Sequence, residues 1–121
     1  MNKTIIENNG SKIAVINSED LVITDTQSAL DLIMIVQYYD DCEIIILNKE
    51  AVTEDFFRLS SGLAGEILQK FSNYRKKIGI TGDFSGYTSK PLHDFIYECN
   101  LGGNVAFAAD VKNAADILTK R

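Results

Sequence analysis

The sequence predicts an α/β layer fold with a mostly parallel sheet and one antiparallel edge. Three observations carry that expectation. Runs rich in β-formers alternate with runs of helical period. The first two β-rich runs are separated only by Asn9-Gly10, a pair that supplies the positive φ angles of a tight hairpin turn. The run Ile44-Ile45-Ile46-Leu47 is apolar on both faces, as a central strand covered by helices requires.

Residues 4–8 and 12–17 form the hairpin. Thr24 and Gln27 have capping-box spacing, so a helix starts there and runs to about Tyr39, with Ala29, Leu32, Ile33 and Val36 toward the core. A strand follows over 42–48. Thr53-Glu54-Asp55 reads as a short capped turn carrying Phe56 and Phe57. The helix over 62–75 has Leu63, Ile67, Phe71 and Tyr74 on one stripe. Residues 77–82 are a strand. Thr88, Ser89 and Pro91 open a helix with its proline in the first turn, packed through Leu92, Phe95, Ile96 and Cys99 and stopped by Gly102-Gly103. A last strand over 104–108 leads to Asp110, which caps a helix carrying Val111, Ala114, Ala115 and Leu118. The order is β-β-α-β-α-β-α-β-α, with right-handed crossovers after the hairpin.

Composition bounds what such a chain does. Its 121 residues support one domain, 1–121, and by surface scaling about two thirds of the unfolded surface is buried, enough for a core without staples. With 17 acids, 12 bases and a net charge of −5, binding through phosphate neutralisation of a nucleic acid is not expected. Two cysteines, Cys42 and Cys99, and one histidine make neither a disulfide framework nor a zinc cluster; no cofactor and no metal are expected. No apolar run reaches the ~18 residues of a membrane span and no signal-peptide core follows Met1, so the expected setting is the reducing cytoplasm. The charge is uneven: residues 1–60 carry 11 acids and 4 bases, residues 61–121 carry 6 acids and 8 bases.

Two loops hold the candidate chemistry. Ser60, Ser61 and Gly62 precede an apolar helix, where free N–H groups and the helix dipole favour an anion; the plain alternative is that a serine only caps the helix. The loop over 82–90 leaves one parallel strand and enters a helix in the same way. It would bring Asp83, Ser85, Tyr87, Ser89 and Lys90 beside the serines, with Arg58 adjacent; turn chemistry and capping explain the same residue types. Lys70, Arg75, Lys76 and Lys77 read as cations answering a helix C-terminus rather than a binding patch. His93 and Asp94 are sequence neighbours on a helix and do not face each other, so His93 belongs to the surface or rim. Cys42 and Cys99 behave as small buried apolar groups. Glu66 is a candidate carboxylate that also answers its own helix dipole.

The element order, with Ile45-Ile46-Leu47-Asn48-Lys49, Phe57 through Leu63 and Ala64-Gly65-Glu66-Ile67-Leu68, resembles the STAS domain of anti-sigma factor antagonists and sulfate-transporter regulatory tails. There a strand leads into Asp-Ser-Ser-Gly-Leu and an aliphatic helix. The resemblance implies a regulatory module whose first serine, Ser60 here, is a phosphoacceptor that switches partner binding; Leu59 stands in the place of the aspartate, after a longer loop. Residues 64–75, Gly82-Asp83-Phe84-Ser85, Tyr87, Ser89 and Lys90 are similar to the bacterial family called domain of unknown function 4180, which implies a small bacterial protein and no particular reaction. The expected function is therefore a non-enzymatic, STAS-like interaction module with another protein as partner. The alternative is a small anionic-ligand binder or enzyme using the crevice between Ser60–Gly62 and 83–90. The sequence leaves the oligomeric state open.

Overall fold

The computed structural model describes residues 1–120. Among them, five strands form one mixed sheet in the order β1-β2-β3-β4-β5: β1 (Asn2–Asn8), β2 (Ser11–Asn17), β3 (Ile44–Asn48), β4 (Lys77–Thr81) and β5 (Val105–Ala108). β1 and β2 are antiparallel and the other pairings are parallel. The helices are α1 (Thr26–Tyr39), α2 (Leu63–Asn73), α3 (Lys90–Gly102) and α4 (Val111–Leu118). The predicted order of strands and helices is the observed one. The hairpin closes on Asn9 and Gly10 with φ of 51° and 83°, the left-handed pair that a two-residue turn needs.

Strand order follows chain order, so every crossover from β2 onward moves the same way. Right-handed crossovers then put α1, α2 and α3 on one face of the sheet. Their apolar stripes meet Ala14, Ile16, Ile45, Leu47, Ile78, Ile80 and Phe107 in the larger core. The opposite strand faces carry Ile13, Ile44, Ile46 and Ala106, covered by Ala114, Ala115 and Leu118 of α4. Period-two alternation thus divides β3 between two cores, which is why its sequence shows no polar face.

Several details differ from the expectations. The first helix is capped one residue later than Thr24: the Asp25 carboxylate accepts from the Ser28 N–H at 2.8 Å while Ser28 Oγ accepts from the Asp25 N–H at 3.0 Å. Ile23 is held extended by a parallel bridge to Val52 and accepts from the Thr53 N–H, so the chain turns helical only after it. Tyr74, expected on the core stripe of α2, lies past its end and is 48% exposed. The link from β3 to α2 is three short 3₁₀ turns, at Lys49–Ala51, Glu54–Phe57 and Leu59–Ser61. Thr53 starts the second of these without a side-chain cap. Ser89 and Asp110 cap α3 and α4 as expected, and Gly103 ends α3 at φ 81°.

Candidate functional site

Because β3 and β4 are parallel neighbours, the 3₁₀ segment after one and the loop after the other emerge side by side. Between them lies an open crevice of about 590 Å³. One wall is Glu54, Asp55, Phe57, Arg58, Leu59 and Ser60; the other is residues 86–89 with Pro91 and Leu92. Helices α1 to α3 share one face, so this crevice arises between adjacent crossover loops rather than at a reversal of strand order.

Tyr87 organises the site. Its ring stacks on Phe57 at 5.2 Å and lies near-parallel to Phe84 at 6.4 Å, and the Lys49 ammonium sits 4.9 Å from its centroid. Its hydroxyl donates to the Glu54 carboxylate, 2.9 and 3.0 Å from the two oxygens. Burial first, then the bond to and charge of Glu54, and last Glu50, push the phenol well above its ordinary pKa. It is a fixed donor, not a base. Lys49 is positioned in turn by Gly82, whose φ of 154° and 2.9 Å clearance from the Lys49 Cβ leave no room for a side chain.

The sequence candidates divide. Ser60, Tyr87 and Ser89 line the crevice together with Gly86, Thr88 and Arg58. Ser61 turns away: its hydroxyl donates to the Asp55 carbonyl at 2.8 Å and accepts from the Leu63 N–H at 3.2 Å. It therefore tightens the turn, and Gly62, at φ 77°, occupies the helix cap position itself. Ser60 is exposed, and its hydroxyl makes no hydrogen bond among the described residues. Asp83 accepts from the Ser85 N–H at 2.9 Å in a closed local turn, and bonding to the Ser85 side chain first, then to its N–H, lowers the Asp83 pKa. Lys90 is paired with Asp94 at 2.8 Å along α3, and that bond first, with the charge of Asp94, raises its pKa. Leu59, where the STAS segment has an acid, is half-buried and anchors the last 3₁₀ turn to the larger core.

The crevice is not a positive face. Its lining carries two carboxylates, Glu54 and Asp55, against one guanidinium, and Arg58 is itself bonded to Asp55 at 2.9 Å. The basic residues of the second half lie elsewhere: Arg75, Lys76 and Lys77 gather at the start of β4, the opposite end of that strand. The Lys76 ammonium donates to the Cys42 carbonyl and Lys77 to the Leu118 carbonyl, both at 2.8 Å.

A family model, Domain of unknown function (DUF4180), matches residues 8–118. The chain belongs to the DUF4180 family. The match runs from the hairpin turn to the end of α4, so it includes both crevice walls. No curated protein and no solved structure matches this chain.

The remaining chemistry-bearing groups singled out in the sequence of this DUF4180 chain are not part of the crevice lining. His93 is exposed on the crevice side of α3, and its Nε2–H is bonded to the Tyr87 carbonyl. Both thiols are free: burial raises Cys42, and burial with the charge of Glu98 pushes Cys99 up to about 11, so neither is a thiolate nucleophile near neutrality. Glu66 is exposed on α2 beside Thr26. No three His, Cys, Asp or Glu among the described residues are grouped to hold a metal. A shallower hollow of about 740 Å³ lies by the hairpin turn, but Asp116 and Thr119 in its wall already accept from Asn8 at 3.0 Å. No described helix is long and apolar enough to cross a membrane.

Glu54, Phe57 and Lys49 were not legible as site residues. Glu54 and Tyr87 are 33 positions apart, and no spacing rule links them. The available signal was the adjacency of β3 and β4, which places the two following loops together.

Proposed function

We propose that the chain is a non-enzymatic, STAS-like interaction module of a bacterial cytoplasm, one domain over 1–121, which docks a partner protein over the crevice. Phosphorylation of Ser60 switches that docking. The observation that carries this reading is the contrast between the two serines. Ser61 is bonded into the turn, whereas Ser60 is exposed on the rim with a free hydroxyl, above an apolar floor of Phe57, Leu59, Pro91 and Leu92. A phosphate there adds nearly two negative charges beside Glu54 and Asp55, which disfavours an acidic partner and creates a site for an Arg-bearing one.

The test is phosphosite mapping after incubation with native cell extract and ATP, followed by affinity capture with wild type and Ser60→Asp. The expected result is phosphate on Ser60 and a changed set of captured proteins. An unmodified Ser60, or identical capture by both forms, rejects the switch.

A volume of about 590 Å³ also falls within the range of small-molecule sites, which favours a second reading as a small anionic-ligand binder. Its recognition would rest on Arg58. A melting-temperature rise with phosphate-bearing metabolites, lost in Arg58→Ala and kept in Lys90→Ala, would support it. The two carboxylates of the lining make no rise the expected result.

A further inference from the structure

The two edges of the sheet are treated differently. At β5 the Asn100 side chain covers the backbone: its Nδ2 donates to the Phe107 carbonyl at 3.1 Å and its Oδ1 accepts from the Phe107 N–H at 2.8 Å. At β1 nothing comparable exists. The two-residue loop makes Asn8 and Ser11 the closing hydrogen-bonded pair, so Asn8, Ile6, Thr4 and Asn2 direct their main-chain groups to β2. Lys3, Ile5 and Glu7 direct theirs outward, and no bond from elsewhere in the described chain reaches them. An open seven-residue edge without proline or bulge is a template for another strand.

We propose that β1 pairs antiparallel with β1 of a second copy of this chain, about a twofold axis at Ile5, joining two five-stranded sheets into one. The sequence Lys3-Thr4-Ile5-Ile6-Glu7 is self-complementary in that register. Lys3 faces Glu7 of the second copy, Ile5 faces Ile5, and the pairs recur symmetrically. Hydrogen-bond parity agrees, because Lys3, Ile5 and Glu7 are the residues whose main-chain groups point outward. Their side chains share the face that carries α1, since Ile5 is in register with Ala14 of the larger core. Beside them α1 exposes Ile35 and Tyr39, 47% and 72% accessible, with the Lys3 ammonium 5.8 Å from the Tyr39 ring. Lys3 also meets Asp40 at 2.6 Å, and its three donors leave it able to serve a second carboxylate. Apolar Ile5, Ile35 and Tyr39 and complementary charges thus lie along one edge. This surface is separate from the crevice.

Sedimentation equilibrium of the full chain tests the pairing, with circular dichroism to confirm folding of each variant. The wild type is expected to be a concentration-dependent dimer. Glu7→Lys places like charges opposite each other twice and is expected to weaken dimerisation at least about tenfold. Ile5→Lys, at the axis, is expected to be monomeric and folded. A monomeric wild type, as a strand from an unrelated protein on this edge would require, overturns the proposal. So does a dimer that persists in folded Glu7→Lys and Ile5→Lys.

Discussion

At the scale of single residues, the site depends on one phenol. Tyr87 is held from both sides, by its ring on Phe57 and by its hydroxyl on Glu54. Removing the hydroxyl in Tyr87→Phe keeps the stacking and is expected to cost about 1 kcal/mol in denaturant unfolding, at the modest end because Glu54 is exposed. The same contact makes stability pH-dependent. Tyr87 has a higher pKa folded than the ordinary tyrosine value of 10.0, so its contribution is complete below pH 10 and declines as pH rises toward the folded value. Alkaline titration of stability should therefore fall more steeply above pH 10 for wild type than for Tyr87→Phe. Equal slopes would mean that the phenol is not held. At the acid end Asp25 behaves oppositely: the bond from the Ser28 N–H lowers its pKa, so its capping contribution is present above about pH 3.8 and is lost on further acidification.

At the scale of elements, α4 is fitted to the sheet through a missing side chain. A Cβ on Gly79 would lie 3.1 Å from both Ile46 Cγ1 and Leu118 Cδ1, within a packed layer. Gly79→Val is expected to destabilise by roughly 1–3 kcal/mol through overpacking, read as a lower melting temperature with unchanged helix content. The elements themselves were legible because their signals are local. Ser89 with Pro91, and Asp110, are capping patterns that operate within one turn, and the structure keeps both. The cap of α1 was displaced by one residue because Ile23 is tied to Val52, 29 positions away in sequence and invisible to a local rule. Of the three 3₁₀ turns between β3 and α2, the one at Glu54–Phe57 was legible as the turn opened by Thr53; those at Lys49–Ala51 and Leu59–Ser61 were hidden, since such turns carry no periodic apolar pattern long enough to read.

At the scale of the whole molecule, two cores of unequal size share one sheet. The face opposite α1, α2 and α3 is covered by α4 alone, eight residues long. Leu118 is fully buried there, and Leu118→Ala is expected to cost about 2–5 kcal/mol, with the loss appearing in cooperative unfolding of the whole chain rather than in fraying of α4. If hydrogen exchange showed only α4 exposed in that variant, the two cores would be independent. Charge also becomes meaningful only at this scale. The excess of bases in residues 61–121 suggests a positive face near the serine loop, yet the fold sends Arg75, Lys76 and Lys77 to the far end of β4 and brings Glu54 and Asp55 to the crevice.

The sequence alone determined the alternation of strands and helices, the hairpin turn at Asn9-Gly10, most of the core positions and two of the four helix caps. Each follows from interactions spanning a few residues: side-chain period, turn stereochemistry and the unsatisfied N–H groups of a helix start. Membership of DUF4180 likewise rests on the sequence, through the family match over residues 8–118. Only the tertiary structure decided which of the candidate residues meet. It placed Ser60, Tyr87 and Ser89 on one crevice, closed Asp83 on Ser85 and Lys90 on Asp94, and supplied Glu54 and Lys49 as partners of Tyr87. The reason is physical. A hydrogen bond between residues 54 and 87 depends on the pairing of β3 with β4 and on the path of two loops, and neither quantity is encoded in the spacing of any motif.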